Sequence, residues 1–540
     1  MQFLRMFVVL FGAVLLVQSP SAAARDATAV IDSGELRGEV VDGVVRFLGV
    51  PYAAPPIGDL RWTAPQPARA WTGHRDATVQ APGCFQPVTP DGFGPWTKEY
   101  VTPPPVSEDC LYANIWMPER ADAKPLPILV WIHGGAFMSG SNSVPIYDGS
   151  ELAKMGVIVV SINYRLGVFG FAGFRELSSE VGGGTNFGLQ DIVASLRWVQ
   201  RNAAAFGGDP GQVTIAGQSA GAMAVHMLLV SPASDGLFAR AIAQSGLIET
   251  PLPTRDDGFR RGDDLASQGG VSSVSALRRL PAEQVMALLT KGPLEGTMQI
   301  GGTSLLGPVV DGRILPDQVA ALEASGQRKA VPVMIGLNAD EGVLNPDYFK
   351  TTPEALVTQL REAFGEQRAE RLLAGEAIDS DVAAVAATRK LSRLYGLASV
   401  IDWAKGYRAP LFAYYYTHSE PGPGSDMFGA FHSAEIPYVF NSLGASPWRN
   451  FTDEDRLIAH NMSAYWTNFV KSSDPNGADL PRWQRFDRAK PVVMELGGKF
   501  STYHPEDGKL DLLLDWMSHG LGRSIFGVSS FPATQAENGT

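Results

Sequence analysis

Cysteine is nearly absent from this chain: Cys84 and Cys110 are the only two among 540 residues. Two thiols with no histidine near them cannot complete a tetrahedral ligand set, so no metal is expected there. Charge is thin as well, at 19% of residues with a formal net charge of −12. The clustered Lys and Arg that hold a phosphate backbone are missing, which excludes a nucleic-acid partner. A hydrophobic content of 45% beside that dilute charge separates the chain from disordered sequences. Internal repeats, low-complexity tracts and domain-sized linkers are all lacking. Long apolar runs are lacking too. The run Met6–Val17 falls short of the roughly 20 residues a bilayer-spanning helix needs. No later segment is longer or more apolar, and the polar C-terminal tail carries no lipid-anchor pattern, so stable membrane insertion is not expected.

What is present begins at the N-terminus. A basic start (Met1–Arg5), the apolar run and the small residues Ser21-Ala22-Ala23-Ala24 follow the order of a secretory signal peptide. The expectation is a leader over residues 1–24, cleaved near Ala23/Ala24, and a secreted or periplasmic protein. Residues 25–540 are then expected to form a single domain. In an oxidising compartment Cys84 and Cys110 read as one disulfide across a Pro- and Gly-rich surface loop. Such a staple is worth roughly 3 kcal/mol by chain-entropy reasoning.

Short β-branched runs alternate with helical patterns, the signature of a largely parallel sheet with crossover helices. Ile128–Ile132, Val157–Ile162, Val213–Ala216, Val331–Ile335 and Leu411–Tyr416 read as strands. Leu189, Ile192, Val193, Leu196 and Val199 recur at helical spacing, and that helix is expected to stop near Phe206, before Gly207-Gly208-Asp209-Pro210. A second helix is expected over Ala222–Val230. The stretch from Thr254 to Gly326 is less regular and reads as helical insertions.

Gly217-Gln218-Ser219-Ala220-Gly221 stands between the strand Val213–Ala216 and the helix that follows it. A G-x-S-x-G sequence in that context is a nucleophile elbow, where the serine tops a turn too sharp for side chains two residues away on either side. A serine attacking a carbonyl creates an oxyanion, which needs preorganised N–H donors. Ala220 follows the nucleophile and supplies one. His133-Gly134-Gly135-Ala136, after the strand Ile128–Ile132, supplies others, with His133 packed against the turn. The order in this fold is serine, then acid, then histidine. Asp340 and Glu341 both follow the strand Val331–Ile335, and position leaves them level. Of the later histidines His418, His432, His460, His504 and His519, spacing favours His432, in a small-residue loop beyond Leu411–Tyr416.

These residues resemble the type-B carboxylesterases, the family that includes cholinesterases and bacterial para-nitrobenzyl esterases. The matching segments are Phe47-Leu48-Gly49-Val50-Pro51-Tyr52-Ala53-Ala54-Pro55-Pro56 with Leu60-Arg61-Trp62, then Ser107–Trp116, then Phe206–Pro210 through the elbow. They run from near the start of the mature chain towards its end. The resemblance implies an α/β-hydrolase fold: a mostly parallel central sheet flanked by helices, with large insertions over the active site. It implies Glu341 as the acid, from the Asp-Glu-Gly triplet, and His432 as the base, from the Glu435-Ile436-Pro437-Tyr438-Val439-Phe440 stretch after it. It implies Gly134, Gly135 and Ala220 as the oxyanion hole, and an Ω-loop closed by Cys84–Cys110. Arg61 and Glu108 resemble a structural ion pair of the family. Two departures are visible. Gln218 stands where many members have Glu, and the Ω-loop has Tyr100 where cholinesterases carry the tryptophan that binds quaternary ammonium, with Trp96 four residues away. Choline selectivity is therefore outside what the resemblance implies. The sequons at Asn450, Asn461 and Asn538 matter only in a eukaryotic host.

The expected activity is hydrolysis of small-molecule carboxylic esters through an acyl-enzyme, with no cofactor. Two alternatives follow from the same residues. One is a narrow-specificity hydrolase of a polyester, lipid or mycotoxin ester; the other is a non-catalytic binding protein on the same fold.

Overall fold

The computed structural model describes residues 25–120, 124–248, 251–290, 306–344, 348–503, 508–519 and 522–523. The leader expected over residues 1–24 and the sequon at Asn538 lie outside the described residues.

The described chain opens on antiparallel strands β1 (Arg25–Ile31), β2 (Gly34–Val41) and β3 (Val44–Pro51), with a short β4 (His74–Asp76) beside β2. Buried and exposed residues alternate along β1 and β2, as they do where one sheet face meets water. The remaining strands of the same sheet are β5 (Tyr112–Pro118), β6 (Leu126–Ile132), β7 (Ile158–Ile162), β8 (Gly208–Gln218) and β9 (Arg240–Gln244). After them come β10 (Val333–Asn338), β11 (Leu411–Tyr416), β12 (Val493–Leu496) and β13 (Ser501–Tyr503). Their spatial order is β1-β2-β3-β5-β7-β6-β8-β9-β10-β11-β12-β13. All neighbours from β7 to β12 are parallel, and antiparallel strands flank them on both sides.

Every residue of β7, β10 and β11 is buried, because helices cover both faces of this part of the sheet. The main helices are α1 (Phe187–Asn202), α2 (Ala220–Val230), α3 (Arg255–Gln268), α4 (Pro353–Phe364), α5 (Glu366–Leu373), α6 (Asp381–Lys405), α7 (Asp453–Ser472) and α8 (Gly508–Ser518). This is the α/β-hydrolase architecture. The expected strands all form, with ends displaced by up to five residues. The apolar stripe of α1 is buried, and the chain leaves it through a tight turn to Gly207, which sits at φ 69°. The helix after the elbow starts at Ala220, two residues earlier than the sequence suggests. Helices fill the described part of the 254–326 stretch as expected: α3 and the short turns Val274–Arg278, Ala282–Ala287 and Val319–Ala324.

A feature with no forewarning in the sequence is a second apolar cluster. Leu356, Leu360 and Phe364 of α4 pack with Leu391 and Tyr395 of α6 and Trp516 of α8, apart from the core around the sheet. No helix among the described residues is long and apolar enough to cross a membrane. Among the same residues, no group of three His, Cys, Asp or Glu side chains could hold a metal ion.

Candidate active site

The strand β8 ends at Gln218 and α2 starts at Ala220, which leaves Ser219 alone in the turn at φ 57°, ψ −126°. A non-glycine residue there is strained, and such strain persists only where the surroundings over-determine it. The glycines explain how. A Cβ on Gly217 would sit 2.5 Å from the carbonyl carbon of Gly221, and one on Gly221 would run into the carbonyl oxygen of Ile132. The turn is pinned further by the Ser219 amide, which donates to the Gln244 carbonyl of β9 at 2.9 Å. Ser219 keeps partial exposure while Gln218 and Ala220 on either side are buried.

The loop after β6 presses on this turn. A Cβ on Gly134 would come 2.7 Å from the Gln218 carbonyl and 2.8 Å from Ser219 Cβ, so only glycine allows the approach. Gly135 follows at φ 104°. Ala220 opens α2, where the first amides have no intrahelical acceptor. His133 is fully buried, its Nδ1 lies 2.8 Å from the Gly134 carbonyl and its ring stacks on Tyr164 at 4.5 Å. Burial lowers its pKa to about 4, so it is a neutral packing residue.

His432 arrives from the loop beyond β11, and Glu341 from the turn after β10. His432 Nδ1 lies 2.5 Å from Glu341 Oε2. The other oxygen of Glu341 accepts the Asn338 amide at 2.7 Å. With a carboxylate on Nδ1, the ring N–H belongs on that nitrogen. Nε2 faces the elbow, 3.2 Å from Gln218 Nε2, one residue before Ser219. Asp340 turns the other way. Its oxygens take hydrogen bonds from Arg393 at 2.7–3.0 Å, from the Tyr348 hydroxyl at 2.5 Å and from the Ala430 amide at 3.0 Å. Asp340 thus ties the acid turn to the histidine loop by backbone, and Glu341 by side chain. His418 pairs with Asp455 at 2.7 Å, His460 is exposed and His519 bonds the Asp515 carbonyl at 2.7 Å; none of these meets the elbow. His504 lies outside the described residues.

Cys84 and Cys110 form a disulfide. Arg61 grips Glu108 through two bonds of 2.5 and 2.6 Å and donates to the Leu277 and Leu280 carbonyls, a structural clamp as expected. Three partners hold the site through contacts that the sequence did not reveal. Glu435 is fully buried beside Glu341, and takes hydrogen bonds from Asn338 Nδ2 at 2.6 Å and Gln244 Nε2 at 3.0 Å. Burial, then the charge of Glu341, pushes its pKa up to about 7. Trp466 fixes the Gln244 amide with a bond of 2.9 Å to Oε1. Trp96 donates to the His432 carbonyl. Glu435 stands three residues after His432, whereas Trp96 and Trp466 come from distant elements and no spacing rule links them to the site.

The model of the carboxylesterase family matches residues 25–511. The chain is 37% identical over 508 residues to a fumonisin B1 esterase of Sphingopyxis macrogoltabida, covering 89% of each. It is 34% identical to the para-nitrobenzyl esterase of Bacillus subtilis strain 168, covering 88% of this chain and 96% of the relative. A human cocaine esterase matches at 33% identity, over 89% of each. Among solved structures, a thermophilic para-nitrobenzyl esterase superposes with a TM-score of 0.74 at 31% identity, over 90% of this chain and 99% of that one.

Proposed function

The chain belongs to the carboxylesterase family and is a carboxylic ester hydrolase, and from that premise we propose that Ser219, His432 and Glu341 carry its chemistry. His432 Nε2 takes the Ser219 proton as Oγ attacks the ester carbonyl, and Glu341 holds and stabilises the imidazolium. The amides of Gly134, Gly135 and Ala220 receive the oxyanion. The carbon–oxygen bond to the alcohol breaks as His432 returns the proton to the leaving oxygen. Water, deprotonated by the same His432, then cleaves the acyl-enzyme and regenerates Ser219. The observation that carries this reading is the 2.5 Å contact of Glu341 with Nδ1, with Nε2 turned to the elbow.

The substrate is a small-molecule ester and the reaction needs no cofactor. Residues 1–24 serve as the signal peptide and residues 25–540 form one domain, so the mature enzyme is secreted or periplasmic. The disulfide supports an oxidising compartment.

The test is hydrolysis of para-nitrophenyl esters of increasing acyl length by the mature protein beside Ser219→Ala. Turnover that disappears in the variant is expected; a variant with wild-type turnover sinks the assignment. A narrower second reading, hydrolysis of a mycotoxin ester, is supported by the relative named as a fumonisin B1 esterase. A kcat/KM for fumonisin B1 well above that for every para-nitrophenyl ester would favour it.

A further inference from the structure

The disulfide-closed loop between Cys84 and Cys110 is not used by the chemistry above, yet its tip touches the base. Gly92–Phe93 and Trp96–Thr97 pair as a miniature antiparallel ribbon at that tip. From it, Trp96 Nε1 donates to the carbonyl of His432 at 3.0 Å and reaches Ser433 Oγ at 3.4 Å. The same indole packs edge to face with the Phe431 ring, centroids 5.8 Å apart at 88°. One side chain therefore engages three consecutive residues centred on His432, across a separation of 336 residues.

The histidine loop needs such an anchor. Ser433 sits at φ 88°, a conformation that costs a β-carbon-bearing residue on the order of 1–3 kcal/mol and lasts only where contacts enforce it. Glu341 and Asp340 hold the loop from the β10 side, through the imidazole and through the Ala430 amide. Trp96 holds it from the Ω-loop side, at the backbone carbonyl of the base itself. The ribbon is in turn moored at its root. Thr97 and Glu99 bond Arg449, and the Tyr100 hydroxyl bonds Glu420 at 2.9 Å.

We propose that Trp96 is a positioning residue that holds the His432 backbone so that Nε2 stays within reach of Ser219 while Nδ1 stays on Glu341. It acts through a hydrogen bond to a main-chain carbonyl, not by contact with the reacting atoms, and so makes the Ω-loop part of the catalytic framework. The inference rests on the reading of His432 as the base.

The experiment compares wild type with Trp96→Phe, Trp96→Ala and His432→Ala on one para-nitrophenyl ester. It also follows the downfield proton resonance of the His432–Glu341 bond. Trp96→Phe keeps a ring and removes the N–H. It is expected to lower kcat about tenfold, the size of one ordinary hydrogen bond, with KM changed less than twofold. The resonance, identified by its loss in His432→Ala, is expected to shift or broaden. Trp96→Ala is expected to lower kcat further; if it does not fold, Trp96→Phe alone decides. Wild-type kcat and an unmoved resonance in Trp96→Phe overturn the proposal, and so does a change confined to KM. An active His432→Ala overturns the base assignment first, and an inactive one beside a fully active Trp96→Phe overturns the role of Trp96 alone.

Discussion

The two halves of the site are held by different physics. Around Ser219 the restraint is mainly steric: glycines at 217 and 221, the carbonyl of Ile132 and the backbone of Gly134, all within the sheet or one turn beyond it, with one hydrogen bond from the Ser219 amide to the Gln244 carbonyl. Around His432 the restraint is polar and long-range: Glu341 on Nδ1, Trp96 on the carbonyl, Asp340 on the Ala430 amide, and Asn338 on the Phe431 carbonyl at 2.7 Å. Close packing tolerates no added atom, whereas a buried hydrogen bond fails when one partner is lost even with the shape kept. The Ser219 half should therefore break under small-to-large substitutions, and the His432 half under isosteric loss of a hydrogen-bonding partner.

The largest effect is expected where the isosteric change falls on the proposed acid. Glu341→Gln should lower kcat about 10⁴-fold by favouring the wrong imidazole tautomer. Steady-state kinetics beside a thermal melt check that the fold survives. On the steric side, Gly134→Ala places a methyl group between the Gln218 carbonyl and Ser219 Cβ. The loop must retreat from the elbow, and kcat should fall about 10²–10³-fold, the usual consequence of losing an oxyanion donor. A Gly134→Ala enzyme with normal kcat would show that the loop is not part of the oxyanion site.

Gln218→Glu sharpens the comparison without adding bulk. It puts a carboxylate beside His432 Nε2, which favours the charged ring, so the acidic limb of the pH–rate profile should move to higher pH. An unmoved limb would mean that the contact at 3.2 Å has no bearing on the base.

The smallest effect is on stability. Burial and the Glu341 charge raise Glu435 from 4.5 to about 7, so the folded protein holds this proton more tightly than the unfolded chain does. Stability present below about pH 4.5 is then lost as pH rises through about 7. Glu435→Gln has no proton to lose, so its melting temperature should fall less than that of the wild type between about pH 5 and pH 8. Parallel curves would remove Glu435 from the account.

Legibility followed the same division. The elbow, the Gly134-Gly135 loop and the strands that carry them were readable because each rests on backbone geometry written into a few adjacent residues. The choice between Asp340 and Glu341 was not readable from spacing. Both side chains leave the same turn after β10, and Arg393 on α6, 53 residues on, holds Asp340 away from the imidazole together with the Tyr348 hydroxyl and the Ala430 amide. The cluster joining α4, α6 and α8 was equally hidden, since its members are far apart in the chain.

What the sequence determined by itself is the family, the reaction class and the sharp turn that presents Ser219, since a strand-to-helix turn of that kind requires particular residues at fixed short spacing. What only the tertiary structure decided is how His432 is held. Glu341 and His432 stand 91 residues apart, and Trp96 and His432 stand 336 apart. Hydrogen bonds over such separations leave no periodicity in the chain, because the fold and not the spacing brings their ends together.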